Sequence, residues 1–449
     1  MPTLNVQNRT LFHGDNLPFL RGINSGTIHL IATDPPFNKG RDFHATPDSL
    51  AAGAKFEDRW SWDKDVHQDW IDAIQDDWPA VWEVIDAARA AAGEDMAAYL
   101  CWLGVRLLEM RRVLRDDGSI YLHIDHTAHA WVKTLMDAIF GRKNFRNEIV
   151  WCYTGPGSPG MRQFNRKHDT ILWYSVSDQW CFNADEVRIG HHIKTKDNFK
   201  TGLRGSGFIE GSYGLAAGGK VPETWWIQEK GNGLAIAARQ KKQYMGYPTQ
   251  KPLALYERII KASSNPGDLV LDPFCGCATT PIAAERLGRK WVGMDIWDKA
   301  HQTVIERLQR EGLAAPDGDS AGRLITFGQI FYSTAPPIRS DDGETAAPVL
   351  KTKQKIAEPP GPKMSRAEMV EFLIEQNGMV CRGCDREFDD PLYLELDHNT
   401  PRSDGGLNHI SNRLLLCGPC NRIKSNRLTL SGLRAENAKR GRMAETGGQ

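Results

Sequence analysis

At 449 residues, with 41% hydrophobic and 25% charged positions, the chain is long enough for about three domains and is compositionally unlike a disordered, collagenous or coiled-coil protein. Lys plus Arg and Asp plus Glu each number 56, a balance that as a bare sum argues against a polyanionic partner. No apolar run of about 18 residues occurs and Met1 to Asn16 lack an export signal, so no membrane association and a cytoplasmic location are expected.

In chain order, residues 27–33 read as a short apolar strand that ends in Asp34-Pro35-Pro36-Phe37. Residues 42–95 hold 14 acids and 4 bases, an acidic insertion read as a solvated helical cap; its charge also allows gating or mimicry of a polyanion. Tyr99, Leu103, Leu107, Met110 and Leu114 recur at helical spacing, and Asp116-Asp117-Gly118 is expected to stop that helix before a buried strand at 119–124. A second amphipathic helix spans 131–140 and ends at Gly141.

Residues 152–246 carry 13 bases, 8 acids and the aromatics Trp173, Tyr174, Trp180, Tyr213, Trp225, Trp226 and Tyr244. Those rings suit base stacking between phosphate contacts, or equally the core of a small β-rich lobe. Helices are then predicted at 253–263 and 280–287, alternating with strands at 269–272 and 290–294. Such alternation implies a mostly parallel α/β sheet, with ligands beyond the carboxyl ends of its strands, where Asp34 and Asp272 fall.

Residues 333–362 contain six prolines without apolar periodicity and read as a linker between a large unit, 1–332, and a C-terminal module, 363–449. The stretch 413–442 has 8 bases and one acid, so the overall neutrality is a cancellation of segregated charge. Of the nine cysteines, Cys101, Cys152, Cys181, Cys275 and Cys277 read as small buried hydrophobes. Cys381-x-x-Cys384 and Cys417-x-x-Cys420 instead supply the four thiolates of a structural, tetrahedral zinc site.

Two constellations carry chemistry. An exocyclic base amine is a poor nucleophile until its two N–H groups are accepted by a carboxylate and a carbonyl, which localises its lone pair. Asp34 and the proline-fixed carbonyls offer those acceptors, with Phe37 as a stacking ring for an extruded base. The strand and tight turn Asp272-Pro273-Phe274-Cys275-Gly276 lets a ligand approach backbone, with a carboxylate for a cationic amine. Asp295 closes the next strand, where an acid takes ribose hydroxyls. With no Gly-x-Gly-x-x-Gly phosphate cradle, a nucleoside bearing a charged amino-acid tail fits best, a description that S-adenosylmethionine meets.

These motifs, with Gly14-Asp15-Asn16, Gly118 to His123, Lys167-His168-Asp169 and Pro248 to Pro252, stand in the order found in β-class DNA amino-methyltransferases, which residues 11–307 resemble. The resemblance implies a Rossmann-like fold with permuted motif order, acting on double-stranded DNA. Asp34, Pro35, Pro36 and Phe37 would be catalytic, and residues 152–246 would be the target-recognition region. Asp272, Phe274 and Gly276 would line the methionine pocket, Asp295 would bind the ribose, Asp15 and Asn16 would lie near the adenine, and Lys251 near the cofactor carboxylate. The aspartate before the prolines favours adenine N6 over cytosine N4. One departure is Ala278 at the second glycine of F-x-G-x-G, costly if that position has positive φ.

In the C-terminal module, Asp397-His398 follows the first cysteine pair, Asn412 precedes the second, and Asn421 follows it. An imidazole can activate water and an adjacent carboxylate can hold Mg²⁺ at a phosphate. Residues 378–427 resemble a four-cysteine HNH endonuclease, a small zinc-stapled ββα-metal fold. The resemblance implies His398 as general base, Asn412 as its support, and Asp397 and Asn421 as Mg²⁺ ligands. His409 does not fit the motif and reads as a loop residue; Arg402 and Lys424 read as phosphate contacts or surface charges. Methylation joined to cutting suggests restriction–modification in a bacterial, archaeal or phage-infected cell. A double-strand break would need two chains, hence a homodimer, or two events. The alternatives are a solitary methyltransferase whose zinc module only binds DNA, and RNA as methyl acceptor.

Overall fold

The computed structural model describes residues 3–45, 49, 51, 54–157, 160–191, 215, 218–229, 232–237, 240, 243–247, 249–319, 324–341, 364–399, 409–424 and 428–444. Pro248, Arg402, Tyr213 and most of the linker lie outside the described residues. The chain forms two compact units: Met1–His67 with Glu83–Ser340, and Gln68–Trp82 with Asp341–Gln449. The acidic insertion therefore belongs to both units, with Gln68–Trp82 in the second.

In the first unit, β1 (Thr10–His13), α1 (Asn16–Gly22), β2 (Ile28–Thr33), α2 (Glu94–Val113), β3 (Leu114–Ile124), α3 (His129–Phe140), β4 (Phe145–Cys152) and β5 (His168–Ser175) follow in order. They continue with β6 (Trp225–Ile227), α4 (Leu253–Ser263), β7 (Leu269–Asp272), α5 (Thr279–Arg286), β8 (Lys290–Asp295), α6 (Ala300–Arg310) and β9 (Phe331–Ser333). The strands form one sheet in the order β9-β1-β8-β7-β2-β3-β5-β4-β6. From β9 to β3 every pairing is parallel, and β5 runs antiparallel to both β3 and β4. All four residues of β7 are buried, and so are all of β2 except His29, as expected of strands covered on both faces.

Parallel pairing has one consequence for function: β1, β2, β7 and β8 end at the same edge and deliver Asp15, Asp34, Asp272 and Asp295 to it. The predicted helix at 99–114 ends at Val113, but Asp116-Asp117-Gly118 does not separate it from the strand. β3 begins at Leu114 and absorbs those residues where its register against β2 shifts between Ile28 and Leu30.

The aromatic, basic segment divides. Trp173, Tyr174 and Trp226 are core, whereas Trp180 and Trp225 are 38% and 53% exposed. The Arg146 guanidinium stacks over Trp180 at 3.6 Å.

The second unit contains the insertion helix Gln68–Asp77, α7 (Arg366–Asn377), β10 (Leu394–His398), β11 (Arg413–Cys417), α8 (Gly418–Lys424) and α9 (Leu430–Lys439). β10 and β11 pair antiparallel with His398 opposite Arg413. Leu394, Leu396, Leu414, Leu415, Leu416 and Leu433 form a core with the four cysteines, Met369 and Leu373. A core of that size is small, so a staple between its two cysteine knuckles has much to add.

Candidate functional site

The shared strand edge opens into a cavity of about 830 Å³, a size typical of small-ligand sites, lined by Asp15, Asp34, Phe37, Asp272, Phe274 and Asp295 among others. At its β1 side, Gly14 at φ +141° turns the chain into α1. Asp15 caps that helix, its Oδ1 accepting from Leu17 N at 3.0 Å. Arg106 of α2 holds this corner, donating to Asp15 Oδ1 at 2.7 Å, Asn16 Oδ1 at 2.7 Å and the Trp102 carbonyl at 2.9 Å. Burial lowers the Arg106 pKa to about 10, against the pull of the Asp15 carboxylate. Asn16 in turn donates to the Pro273 carbonyl at 2.8 Å, joining the turn after β1 to the turn after β7.

At the end of β2, Lys251 Nζ lies 2.5 Å from Asp34 Oδ2 and donates to the Thr249 carbonyl at 3.0 Å. Asp34 Oδ1 is buried with no hydrogen-bond partner among the described residues. The Tyr99 hydroxyl donates to the Pro36 carbonyl at 2.7 Å, so that carbonyl is already engaged. Phe37 stacks on His123 at 5.8 Å between centroids, and His123 Nε2 is 3.1 Å from Asp169 Oδ2. The Tyr153 hydroxyl donates to the other Asp169 oxygen at 3.1 Å. Burial alone would raise the Asp169 pKa, but His123, Lys251 and Tyr153 bring it down to about 2.

The β7 turn places Phe274 beside Trp102 at 5.6 Å, and Trp60 extends that aromatic wall at 4.4 Å from Trp102. Gly276 sits at φ +48°, where an added Cβ would lie 3.0 Å from the Tyr247 ring. Its N–H donates to Asp295 Oδ2 at 2.6 Å, while Trp297 N donates to Asp295 Oδ1 at 2.8 Å. Burial pushes Asp295 up to about 6 despite those two amides. Asp272, which accepts from Thr33 Oγ1 at 2.6 Å, is pushed up to about 7 by burial, with a further contribution from the Asp34 charge.

Thus Asp15, Asn16, Asp34, Pro35, Pro36, Phe37, Lys251, Asp272, Phe274, Gly276 and Asp295 all line one cavity. Arg106, Trp102 and Trp60 escaped the sequence reading. A charged residue three positions after Leu103, on the apolar face of a predicted helix, was the available signal for Arg106. His123 and Asp169 lie in separate sequence motifs, and only the pairing of β3 with β5 makes them one unit.

In the second unit the Sγ atoms of Cys381, Cys384, Cys417 and Cys420 lie within 4.8 Å of one another, all buried. Cys417 N donates to Cys381 Sγ and Asn437 Nδ2 to Cys420 Sγ, both at 3.2 Å, and the four sulfurs could hold one metal ion. Asp397 Oδ2 is 2.8 Å from Lys424 Nζ, a lysine that is buried, not a surface charge. Asn421 Nδ2 donates to Glu395 Oε2 at 2.5 Å. Of the expected Mg²⁺ ligands, Asp397 is thus paired through one carboxylate oxygen, whereas Asn421 is held through its nitrogen and not through the carbonyl oxygen that would ligate a cation. The Asn412 carbonyl accepts from Asn399 N at 2.7 Å, closing the loop between β10 and β11. His409 caps the turn before β11 through Ser411.

A family model described as DNA methylase matches residues 28–306, and one described as HNH endonuclease matches residues 381–427. The type II methyltransferase M.EcaI of Enterobacter cloacae is 32% identical over 260 residues, which cover 47% of this chain and 58% of that relative, less than two thirds of its length. The DNA adenine methyltransferase YhdJ of Escherichia coli (strain K12) is 28% identical over 304 residues, 67% of this chain and 82% of that one. Among solved structures, PvuII DNA methyltransferase (cytosine-N4-specific) is 16% identical, covers 67% of this chain and 89% of its own, and gives a TM-score of 0.40.

Ala278, at the glycine position of F-x-G-x-G, has φ +63° and ψ 40° and is fully buried. A left-handed L-residue costs roughly 1–2 kcal/mol. Losing one buried methyl costs about 0.8 kcal/mol. Ala278→Gly should therefore change stability by less than about 1 kcal/mol, and the branched Ala278→Val should destabilise by more than about 2 kcal/mol, as read by urea unfolding. Equal stability of the valine variant would contradict the strained conformation.

Proposed function

We propose that this chain, which belongs to the DNA methylase family, transfers a methyl group from S-adenosylmethionine to an exocyclic amine of double-stranded DNA and also cuts DNA with its HNH module. The observation that carries the methyl-transfer reading is the delivery of Asp15, Asp34, Asp272 and Asp295 by four strand ends to one cavity with Phe37 and Phe274. The donor set fits the cofactor: a buried carboxylate at Asp272 for its ammonium, Asp295 for its ribose hydroxyls, and aromatic rings around its apolar parts.

S-adenosylmethionine supplies an electrophilic methyl carbon on a positively charged sulfur. The chain's own residues prepare the acceptor. Asp34 Oδ1 and the Pro35 carbonyl take the two N–H bonds of the target amine, because the Pro36 carbonyl is held by Tyr99 and Asp34 Oδ2 by Lys251. Lys251 thus acts on Asp34 from inside the cavity as well as facing the cofactor. Phe37 is backed by His123, itself fixed by Asp169, and its other face takes the extruded base. Adenine N6 is the favoured acceptor and cytosine N4 the second. The adenine methyltransferase among the relatives supports that order.

In the nuclease, His398 would be the base and Asn412 would support its loop, while Asp397 and Asn421 would hold a divalent ion and the cysteine quartet a zinc. One zinc and four sulfurs at about 2.3 Å fit the clustered Sγ atoms. A restriction–modification role follows from the two activities. The second reading, a DNA-docking module that does not cut, is favoured by the Asp397–Lys424 pair, in which an ammonium already neutralises the carboxylate.

Asp34→Asn should bind S-adenosylmethionine like the parent chain but transfer methyl groups at least about 100-fold more slowly, measured with labelled cofactor. Unchanged transfer would remove Asp34 from the mechanism. EDTA and His398→Ala should each abolish plasmid nicking and leave methyl transfer intact. No nicking by the parent chain in Mg²⁺ or Mn²⁺ would favour the docking module.

A further inference from the structure

The insertion helix Gln68–Asp77 carries Asp69, Asp72, Asp76 and Asp77 and no basic residue. Its Asp76 is buried within the second unit, with a side chain only 6% exposed, against Arg413 at 5% and His398 at 3%. Arg413 Nη1 lies 3.2 Å from Asp76 Oδ1, and Nη2 lies 3.3 Å from Oδ2, a two-point grip. The same Oδ2 is 3.5 Å from His398 Nε2, and Arg413 Nη1 is 3.3 Å from His398 Nδ1. His398 and Arg413 are cross-strand neighbours, fixed by the β10–β11 register, whereas Asp76 arrives from 337 residues before Arg413.

We infer that Arg413 and His398 form a binding site for one DNA backbone phosphate, and that the Asp76 carboxylate fills it until DNA displaces the insertion helix. The inference rests on the nuclease reading of His398. A guanidinium grips carboxylate and phosphate with the same fork, so one anion can replace the other. Stability alone is a weak reason for this contact, because a buried ion pair is close to break-even against apolar packing. The contact also has a cost for catalysis. A guanidinium only donates, so Arg413 takes the Nδ1 lone pair and leaves the proton on Nε2, facing Asp76. An imidazole held in this way has no lone pair for an attacking water. Phosphate competes for the guanidinium, and the lone pair is released as Arg413 turns to it. The insertion thereby acquires a role as a phosphate mimic that keeps the cutting centre closed.

The test uses the full chain with three variants: Asp76→Asn, Asp76→Asn combined with Arg413→Ala, and Asp86→Asn, which removes an exposed charge elsewhere in the insertion. Plasmid nicking is followed in Mg²⁺ and Mn²⁺, and affinity for a labelled 20-base-pair duplex in Ca²⁺. Asp76→Asn should raise duplex affinity about fivefold or more, the scale of one charge-assisted contact, and raise nicking in step. Asp86→Asn should change neither, and Arg413→Ala should cancel the gain. Unchanged affinity in Asp76→Asn, or nicking that falls, would overturn the inference; the fall would make Asp76 a residue that orients His398. If no variant nicks in either metal, the nuclease reading fails while the affinity measurement still decides the phosphate site. Hydrogen exchange of residues 68–77 in the parent chain guards against misfolding of the variants. Duplex should accelerate that exchange, and unaltered exchange would overturn the displacement.

Discussion

Parallel strands end together, and in this chain each of the four that matter ends in or just before an aspartate. The consequence is a crowd of carboxylates around one cavity, which elementary electrostatics makes unfavourable unless each charge is answered. Asp15 is answered by Arg106, Asp34 by Lys251, and Asp295 by the backbone amides of Gly276 and Trp297. Asp272 is answered by the hydroxyls of Thr33 and Thr280 and the Phe274 amide, with no ion-pair partner among the described residues, and the nearby Asp34 charge adds to its burden. The charge imbalance at Asp272 is what a cationic ligand would restore. Both Asp272 and Asp295 have folded values above the ordinary carboxylate value. They favour the folded chain at low pH and lose that contribution as pH rises through about 6 and about 7.

The second unit meets a related problem with different means. Four cysteine sulfurs crowd into a small core, and the natural relief is a shared cation held among them. The acidic insertion, opaque from composition, divides its work. Asp58 accepts from the backbone of Asn38 and Lys39 beside the cavity, whereas Gln68–Trp82 belongs to the second unit. The equality of 56 basic and 56 acidic residues therefore sums over segments of opposite charge and says little about partners.

Much of the fold was legible because periodicity and capping report local structure. The predicted strand at 269–272 and helix at 253–263 coincide with β7 and α4. The cavity residues were legible because strand-end aspartates and tight glycine turns have few other uses. Other features depend on tertiary pairing, which no local pattern encodes. Arg106 looks like a break in an apolar stripe until Asp15 and Asn16 meet it. Lys251 faces the cavity as expected, yet its nearest anion is Asp34, 217 residues away. Asp116-Asp117-Gly118 carries every mark of a stop signal, but the strand around it is held by neighbours on both sides and tolerates a register shift. Among the aromatics, composition could not sort Trp173 and Trp226 into the core from Trp180 and Trp225 at the surface, since burial is decided by strands distant in sequence.

If the carboxylate edge is the cofactor site, occupation must ionise the carboxylates that burial keeps partly neutral. Calorimetric titration of S-adenosylmethionine into the full chain between pH 6 and 7.5, in buffers of different ionisation enthalpy, measures this directly. The account predicts binding that tightens with rising pH and releases protons near pH 6 to 7, a dependence that Asp272→Asn diminishes. Affinity independent of pH, with no proton released, would contradict it.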